Sequence, residues 1–289
     1  MNRLIKTILA VGAAGPQAGL VVPELAKRGA TVRGLVRNAK EGAQVRANGA
    51  AEIAVGDLTD PASLDAALAG VDAVFYIAPA FMPNEGDVGV AVVAAAKRAG
   101  AGRFVFSSVI HPVITALANH GEKIPVEEAL LKSGMEFTFL HPAMFFQNYA
   151  QAWDEIVKTG AVFEPWSGKT RFSRVDYRDV AEVAAIALTE DRLLFGTFEL
   201  CAPGILDRYD TAAIVGEVLS RRIEAHEPDR TKPKPTGDAA ASGLNIMADW
   251  YDKHALVGNP LILSAILGRE PRTLRSYFAE LSQASNVAA

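Results

Sequence analysis

Gly12, Gly15 and Ala18 recur at every third position within Thr7 to Gly19, TILAVGAAGPQAG, a spacing of small residues that could hold a ligand. A branched apolar run, Thr7-Ile8-Leu9-Ala10-Val11, precedes them, and an apolar-periodic segment opens near Pro16. Strand, tight turn and helix start therefore follow one another directly. Such a turn brings bare backbone N–H groups and the positive end of a helix dipole to one point, which suits a pyrophosphate. Side chains at 12 or 15 would take the space a phosphate needs, and Ala18 lets the helix lie close to the strand. Gly12, Ala14, Gly15, Pro16 and Gln17 are thus the expected phosphate cradle.

Further along, dinucleotide folds place an acid about 20 residues past the turn for a ribose 2′-hydroxyl, or an arginine for a 2′-phosphate. Arg37 stands there and residues 31–40 contain no acid, so NADP(H) is expected in preference to NAD(H). Arg33 is expected to be structural. Asp57, followed by Leu58, is placed either to bond an adenine amino group or to cap the helix that Pro61 starts, where Asp60 is the better cap. Small residues at Ala78-Pro79-Ala80 let a ribose approach.

Other polar residues carry weaker signals. Ser107 and Ser108 end a strand, where serines mostly satisfy nearby backbone groups. His111 and His120 are proton donors by type, but five scattered histidines do not compose a metal site. By spacing alone, Lys123 and Glu127 are an i,i+4 pair on a helix surface.

The elements that must position these residues alternate. Leu20, Val21, Leu25 and Ala26 mark a helical face that Gly29 stops, with Pro23 predicting a bend. Strands follow over 31–37, 51–55, 73–77, 103–106 and 137–140, separated by helices over 39–48, 61–69 and 88–99. This is α/β: a doubly wound, parallel-sheet Rossmann fold with a smaller, mostly helical C-terminal substrate region. The expected division is 1–150 for NAD(P) binding and 151–289 for substrate or partner, interleaved with the core. Trp153, Phe163 and Trp166 join Phe145, Phe146 and Tyr149 as an aromatic set that could line a cleft, although core is the commoner fate of any one. Asp176, Arg178 and Asp179 read as capping and ion-pair residues, and His226 to Gly237 as an exposed loop.

Composition narrows the function. Half of the 289 residues are hydrophobic and 21% charged, with a net charge of −4 and no cluster of Lys and Arg. Neither nucleic acid nor an anionic membrane is an expected partner. Cys201 is the only cysteine, which excludes an internal disulfide and points to the cytoplasm. Arg3 and Lys6 precede an apolar run that breaks at Gly12, unlike a signal peptide, and no apolar stretch reaches membrane-spanning length.

The chain resembles the atypical short-chain dehydrogenase/reductase superfamily and, within it, the NmrA-like group. The resemblance is carried by VGAAGPQAG at 11–19, LVRN at 35–38, GDLTD at 56–60, FSSVIHP at 106–112 and HGEKIPVEEALLKSG at 120–134. HPAMFFQN at 141–148, VDYRDVAEVA at 175–184 and GREPRTLRSYF at 268–278 extend it over nearly the whole chain. It implies that Lys123 binds the nicotinamide ribose and that the segment Pro142 to Phe145 contacts the nicotinamide. The superfamily's tyrosine, four residues before the lysine, is Asn119 here, and an amide does not transfer a proton as tyrosine does. In the isoflavone-reductase-like relatives that lack that tyrosine the lysine is itself the acid or base, and the resemblance makes Lys123 the catalytic candidate. The expectation is an NADP(H)-dependent oxidoreductase acting on a small apolar carbonyl, quinone or conjugated molecule. The alternative is a non-catalytic, NAD(P)-binding redox sensor of NmrA type. A homodimer and a regulatory protein partner are both compatible with the sequence.

Overall fold

The computed structural model describes residues 5–79, 81–229, 237 and 239–288. In chain order its elements are β1 (Thr7–Val11), α1 (Ala18–Lys27), β2 (Thr31–Val36), α2 (Gly42–Ala47), β3 (Glu52–Val55), α3 (Pro61–Leu68), β4 (Ala73–Ile77), α4 (Glu85–Arg98), β5 (Arg103–Ser107), α5 (Ala118–Gly121), α6 (Ile124–Leu131) and β6 (Glu136–Pro142). They continue with β7 (Met144–Phe145), α7 (Asn148–Thr159), β8 (Ala161–Phe163), β9 (Phe172–Val175), α8 (Tyr177–Thr189), β10 (Gly196–Leu200), β11 (Ile205–Leu206), α9 (Arg208–Leu219), β12 (Glu224–His226), α10 (Ala239–Tyr251), α11 (Leu261–Leu267) and α12 (Leu274–Ala288). The chain forms two compact units. The first holds the described residues up to His141 together with Val180–Phe198; the second holds Pro142–Asp179 and Glu199–Ala289.

The first unit is built on a seven-stranded sheet in the order β10-β6-β5-β4-β1-β2-β3. From β3 across to β6 every neighbouring pair is parallel. Strands covered on both faces read as continuous apolar runs, and Ile8, Leu9 and Ala10 of β1 are wholly buried, as are Val74, Phe75 and Tyr76 of β4. Winding reverses at β1, which has β2 on one side and β4 on the other, so the carboxyl ends of β1 and β4 open the crevice where such sheets take ligands. The expected doubly wound sheet is therefore present. β10 was not anticipated from its sequence, because GTFEL is mostly half-exposed and carries no buried apolar run. Arg33 is structural, as expected: its guanidinium donates to Glu52 at 2.6 Å and to the carbonyls of Ala67 and Ala69.

Local signals explain the helices. α1 runs unbroken through Pro23 from Ala18 to Lys27. Asp60, not Asp57, caps α3 by accepting the Ala62 N–H at 3.0 Å, with Pro61 at the first helical position. Asp60→Ala is expected to cost about 1 kcal/mol of stability, read as a lower urea midpoint at unchanged m value. α4 and α6 lie close because of two glycines one turn apart. A Cβ at Gly86 would stand 2.7 Å from Glu122 Oε2 and 2.9 Å from Pro125 Cγ, and one at Gly89 would collide with Val126.

The second unit contains a three-stranded sheet, β11-β9-β7, and a parallel pair, β12 with β8. Phe146, Tyr149, Trp153 and Phe278 form its buried aromatic core, with Trp153 stacked on Phe278 at 5.6 Å. Trp166 packs edge-on against Tyr251 at 5.2 Å, whereas Phe163 is exposed. The aromatic set is thus mostly core. Asp176 and Asp179 are ion-pair residues: Asp176 accepts from Arg178 and Gln147, and Asp179 from Arg269 and Arg272. The Asp179 bonds tie the first turn of α8 to the segment leading into α12. The loop expected over 226–237 falls largely on residues 230–236, outside the described residues. Among the described residues, no helix is long and apolar enough to cross a membrane.

Candidate cofactor site

After β1 the chain turns through Gly12 at φ +70°. A Cβ there would meet no protein atom within 4 Å, so within the chain itself glycine is needed for its left-handed backbone, and the space beside it is open. Gly15 is the steric position. Its N–H donates to the Gly12 carbonyl at 2.7 Å, and a Cβ on it would lie 3.0 Å from that oxygen. Gly12, Ala14 and Pro16 are exposed, Gly15 and Gln17 half-buried, and Ala18 is buried as the first residue of α1. No side chain caps α1; its Gly19 and Leu20 N–H groups donate to the Gly15 and Gln17 carbonyls at 2.9 and 3.0 Å, so it is the positive end of the helix dipole that this start offers an anion. A backbone cradle that a side chain would close, set against an uncapped helix at the sheet's switch point, fits the pyrophosphate of a dinucleotide.

Arg37 is exposed immediately after β2, and among the described residues its guanidinium has no hydrogen bond or ion pair. Its backbone N–H donates to Glu41 Oε2 at 3.1 Å, while Glu41 Oε1 accepts from Asn38 Nδ2 at 2.8 Å. An acid one residue beyond the 31–40 window therefore reaches back to the strand end, carried by a single turn of 3-10 helix over Ala39–Glu41. The sequence signal that could have found it is its spacing of four from Arg37. Asp57 is exposed and Thr59 donates to its Oδ1 through both N–H (2.8 Å) and hydroxyl (2.7 Å). The Thr59 N–H, then its hydroxyl and more weakly the Arg37 charge hold this carboxyl below its ordinary value. Leu58 is half-buried, Ala78 buried and Pro79 exposed; Ala80 lies outside the described residues.

Lys123 is not the surface partner of Glu127. It is buried, just before α6, and forms an ion pair with Glu85, the buried first residue of α4. Burial pushes its ammonium down to about 8. Glu127 instead accepts from Ser108 Oγ at 2.5 Å and lies 2.9 Å from His141 Nε2. That triangle ties the end of β5 to α6 and β6, and sequence reading missed both Glu85 and this grouping. His120 is buried with Nδ1 3.2 Å from the His111 carbonyl, and burial lowers its pKa. His111 holds φ +52°, a strained conformation for a residue other than glycine. Asn119 is half-buried on α5.

Pro142 and Phe145 belong to the second unit. Pro142 is buried at the end of β6, and Phe145, half-buried in β7, packs edge-on against Tyr177 with ring centroids 4.8 Å apart. Among the described residues no group of three His, Cys, Asp or Glu could hold a metal. Cys201 is buried and its thiol pushed up to about 12, which makes it inert.

The strand order, the glycine turn and the bare helix start define an open, doubly wound α/β protein of the Rossmann type. The profile of the NmrA-like family matches residues 5–283, and the chain belongs to that family. The NAD(P)H azoreductase of Xenophilus azovorans is 31% identical over 97% of this chain and 98% of its own length. Among solved structures, an NADPH-dependent quinone oxidoreductase from Escherichia coli, complexed with NADPH, superposes with TM-score 0.83 at 22% identity, covering 95% of this chain and 99% of that one. NmrA, a negative transcriptional regulator solved with NADP, superposes with TM-score 0.82 at 17% identity over 99% and 98% of the two chains.

Proposed function

We propose that the chain is an NADP(H)-dependent oxidoreductase reducing a small apolar carbonyl, quinone or conjugated acceptor. At the coarser level it is an NAD(P)H-dependent oxidoreductase, in keeping with the activity named for its full-length azoreductase relative. The observation that carries the proposal is the uncapped α1 start beside the Gly15 cradle, with an unengaged arginine at the end of β2. Gly12, Ala14, Gly15, Pro16 and Gln17 hold the pyrophosphate, Arg37 the 2′-phosphate, Asp57 and Leu58 the adenine, and Ala78 and Pro79 a ribose. Bound NADPH supplies the hydride. Lys123 binds the nicotinamide ribose and, with Asn119 in the place of the superfamily's tyrosine, supplies the balancing proton. A cytoplasmic setting and a small-molecule substrate belong to the same proposal.

Asn119 also favours a second reading, an NAD(P)-binding sensor without turnover. A screen with NADPH against azo dyes, quinones, aldehydes and enones separates the two: oxidation of NADPH with no acceptor in the panel refutes the enzyme. Arg37 has its own test. Arg37→Ala is expected to weaken NADPH by roughly 10- to 100-fold, the loss of one charge-assisted contact of about 1.5 to 3 kcal/mol, and to leave NADH unchanged. Fluorescence titration with both cofactors checks it, and equal losses would remove the 2′-phosphate from Arg37.

A further inference from the structure

Glu85 is 38 residues from Lys123 in the chain, yet both are buried and paired at the junction of α4 and α6. A second bond fixes the same junction: the Gly86 N–H donates to Glu122 Oε2 at 2.8 Å. The glycine at 86 is what permits this approach, since any Cβ would run into Glu122 and Pro125. Two adjacent residues of α4 are thus held, side chain and backbone, by two adjacent residues before α6. An ammonium carries three N–H donors, and a carboxylate needs only one of them. A buried ion pair is costly to desolvate and is weak as a source of stability, so its presence calls for another use.

We propose that Glu85 is the positioning residue for Lys123, anchoring the ammonium by one donor so that one of the other two is aimed at the cofactor ribose and one at the acceptor. This rests on the reading of Lys123 as the ribose ligand. Glu85 also sets a negative charge against the ammonium, which favours its charged form. The other titratable groups around the junction are otherwise engaged or distant in role: Glu122 on the Gly86 N–H, Glu127 on Ser108 and His141, His120 on the His111 carbonyl, and Asp87 exposed on the first turn of α4. Because the charged form of Lys123 makes the stronger bond, cofactor affinity falls as pH rises through about 8.

The test is the pH dependence of NADPH affinity, measured by fluorescence titration on the full chain. Glu85→Gln is expected to weaken NADPH about 10-fold at pH 7 and to move the midpoint of the affinity loss at least one pH unit lower, because burial then acts unopposed. Glu85→Asp, which keeps the charge, should return the midpoint towards that of the unaltered protein and covers the case in which the glutamine variant does not fold. A purely structural Glu85 would lower the melting temperature without moving the midpoint, and that result overturns the inference. Lys123→Met distinguishes the two levels. If it weakens NADPH while both Glu85 variants keep the original midpoint, the positioning role fails alone; if it leaves NADPH affinity unchanged, the reading of Lys123 fails and this inference with it.

Discussion

Gly15→Val is expected to abolish dinucleotide binding and to leave the fold in place. At Gly15 the first side-chain carbon alone would stand 3.0 Å from the Gly12 carbonyl, and valine adds two methyl groups in the same direction. The turn is then expected to open, lengthening the 2.7 Å bond from the Gly15 N–H to that carbonyl and shifting the start of α1. Two charge-assisted phosphate contacts at about 1.5 to 3 kcal/mol each correspond to a loss of roughly 100- to 10,000-fold in affinity. The surrounding core is spared, because Gly12, Ala14 and Pro16 are exposed and Gly15 half-buried. Far-UV circular dichroism should be unchanged while NADPH no longer quenches or enhances fluorescence. Gly12→Ala makes an instructive contrast: with nothing within 4 Å of its Cβ, its cost is the left-handed backbone at φ +70°, about 1 to 2 kcal/mol. Retained binding in Gly15→Val would remove the turn from the cofactor site.

The second large effect is expected at Lys123. If Lys123 has the roles proposed for it, Lys123→Met is expected to cost about 1.5 to 3 kcal/mol of cofactor affinity through the lost ribose contact and about 100- to 10,000-fold in turnover at saturating cofactor through the lost proton donor. It also leaves Glu85 buried without its counter-charge, which costs about 3 to 5 kcal/mol of stability. The double variant Lys123→Met/Glu85→Gln removes that stability cost and is measured alongside. A reductase shows both the affinity and the turnover loss in the double variant. A sensor shows only the first. If neither changes, Lys123 and Glu85 are a structural pair and the catalytic proposal fails at its central residue.

Asp60 and Arg37 illustrate how far local sequence reaches. The cap of α3 was legible because a helix N-terminus is satisfied by a residue two places away, and the arginine because β2 ends where its apolar run ends. β1, β4 and β5 were legible for a related reason: burial on both faces leaves an unbroken apolar signature. Aromatic residues after Asn148 were ambiguous, since core and cleft draw on the same side chains, and packing of Trp153 on Phe278, 125 positions later by number, assigned them mostly to core.

By itself, then, the sequence determined the βα alternation, the glycine turn that starts it and the arginine that follows β2, all of them interactions closed within a few residues. Tertiary structure decided the rest. It brought β10 to the edge of the sheet and moved Lys123 from an apparent surface pair with Glu127 into a buried pair with Glu85. The physical reason is that helical spacing records only which residues share a face. Which charge meets that face depends on how closely α4 and α6 approach, and two glycines on one helix set that distance.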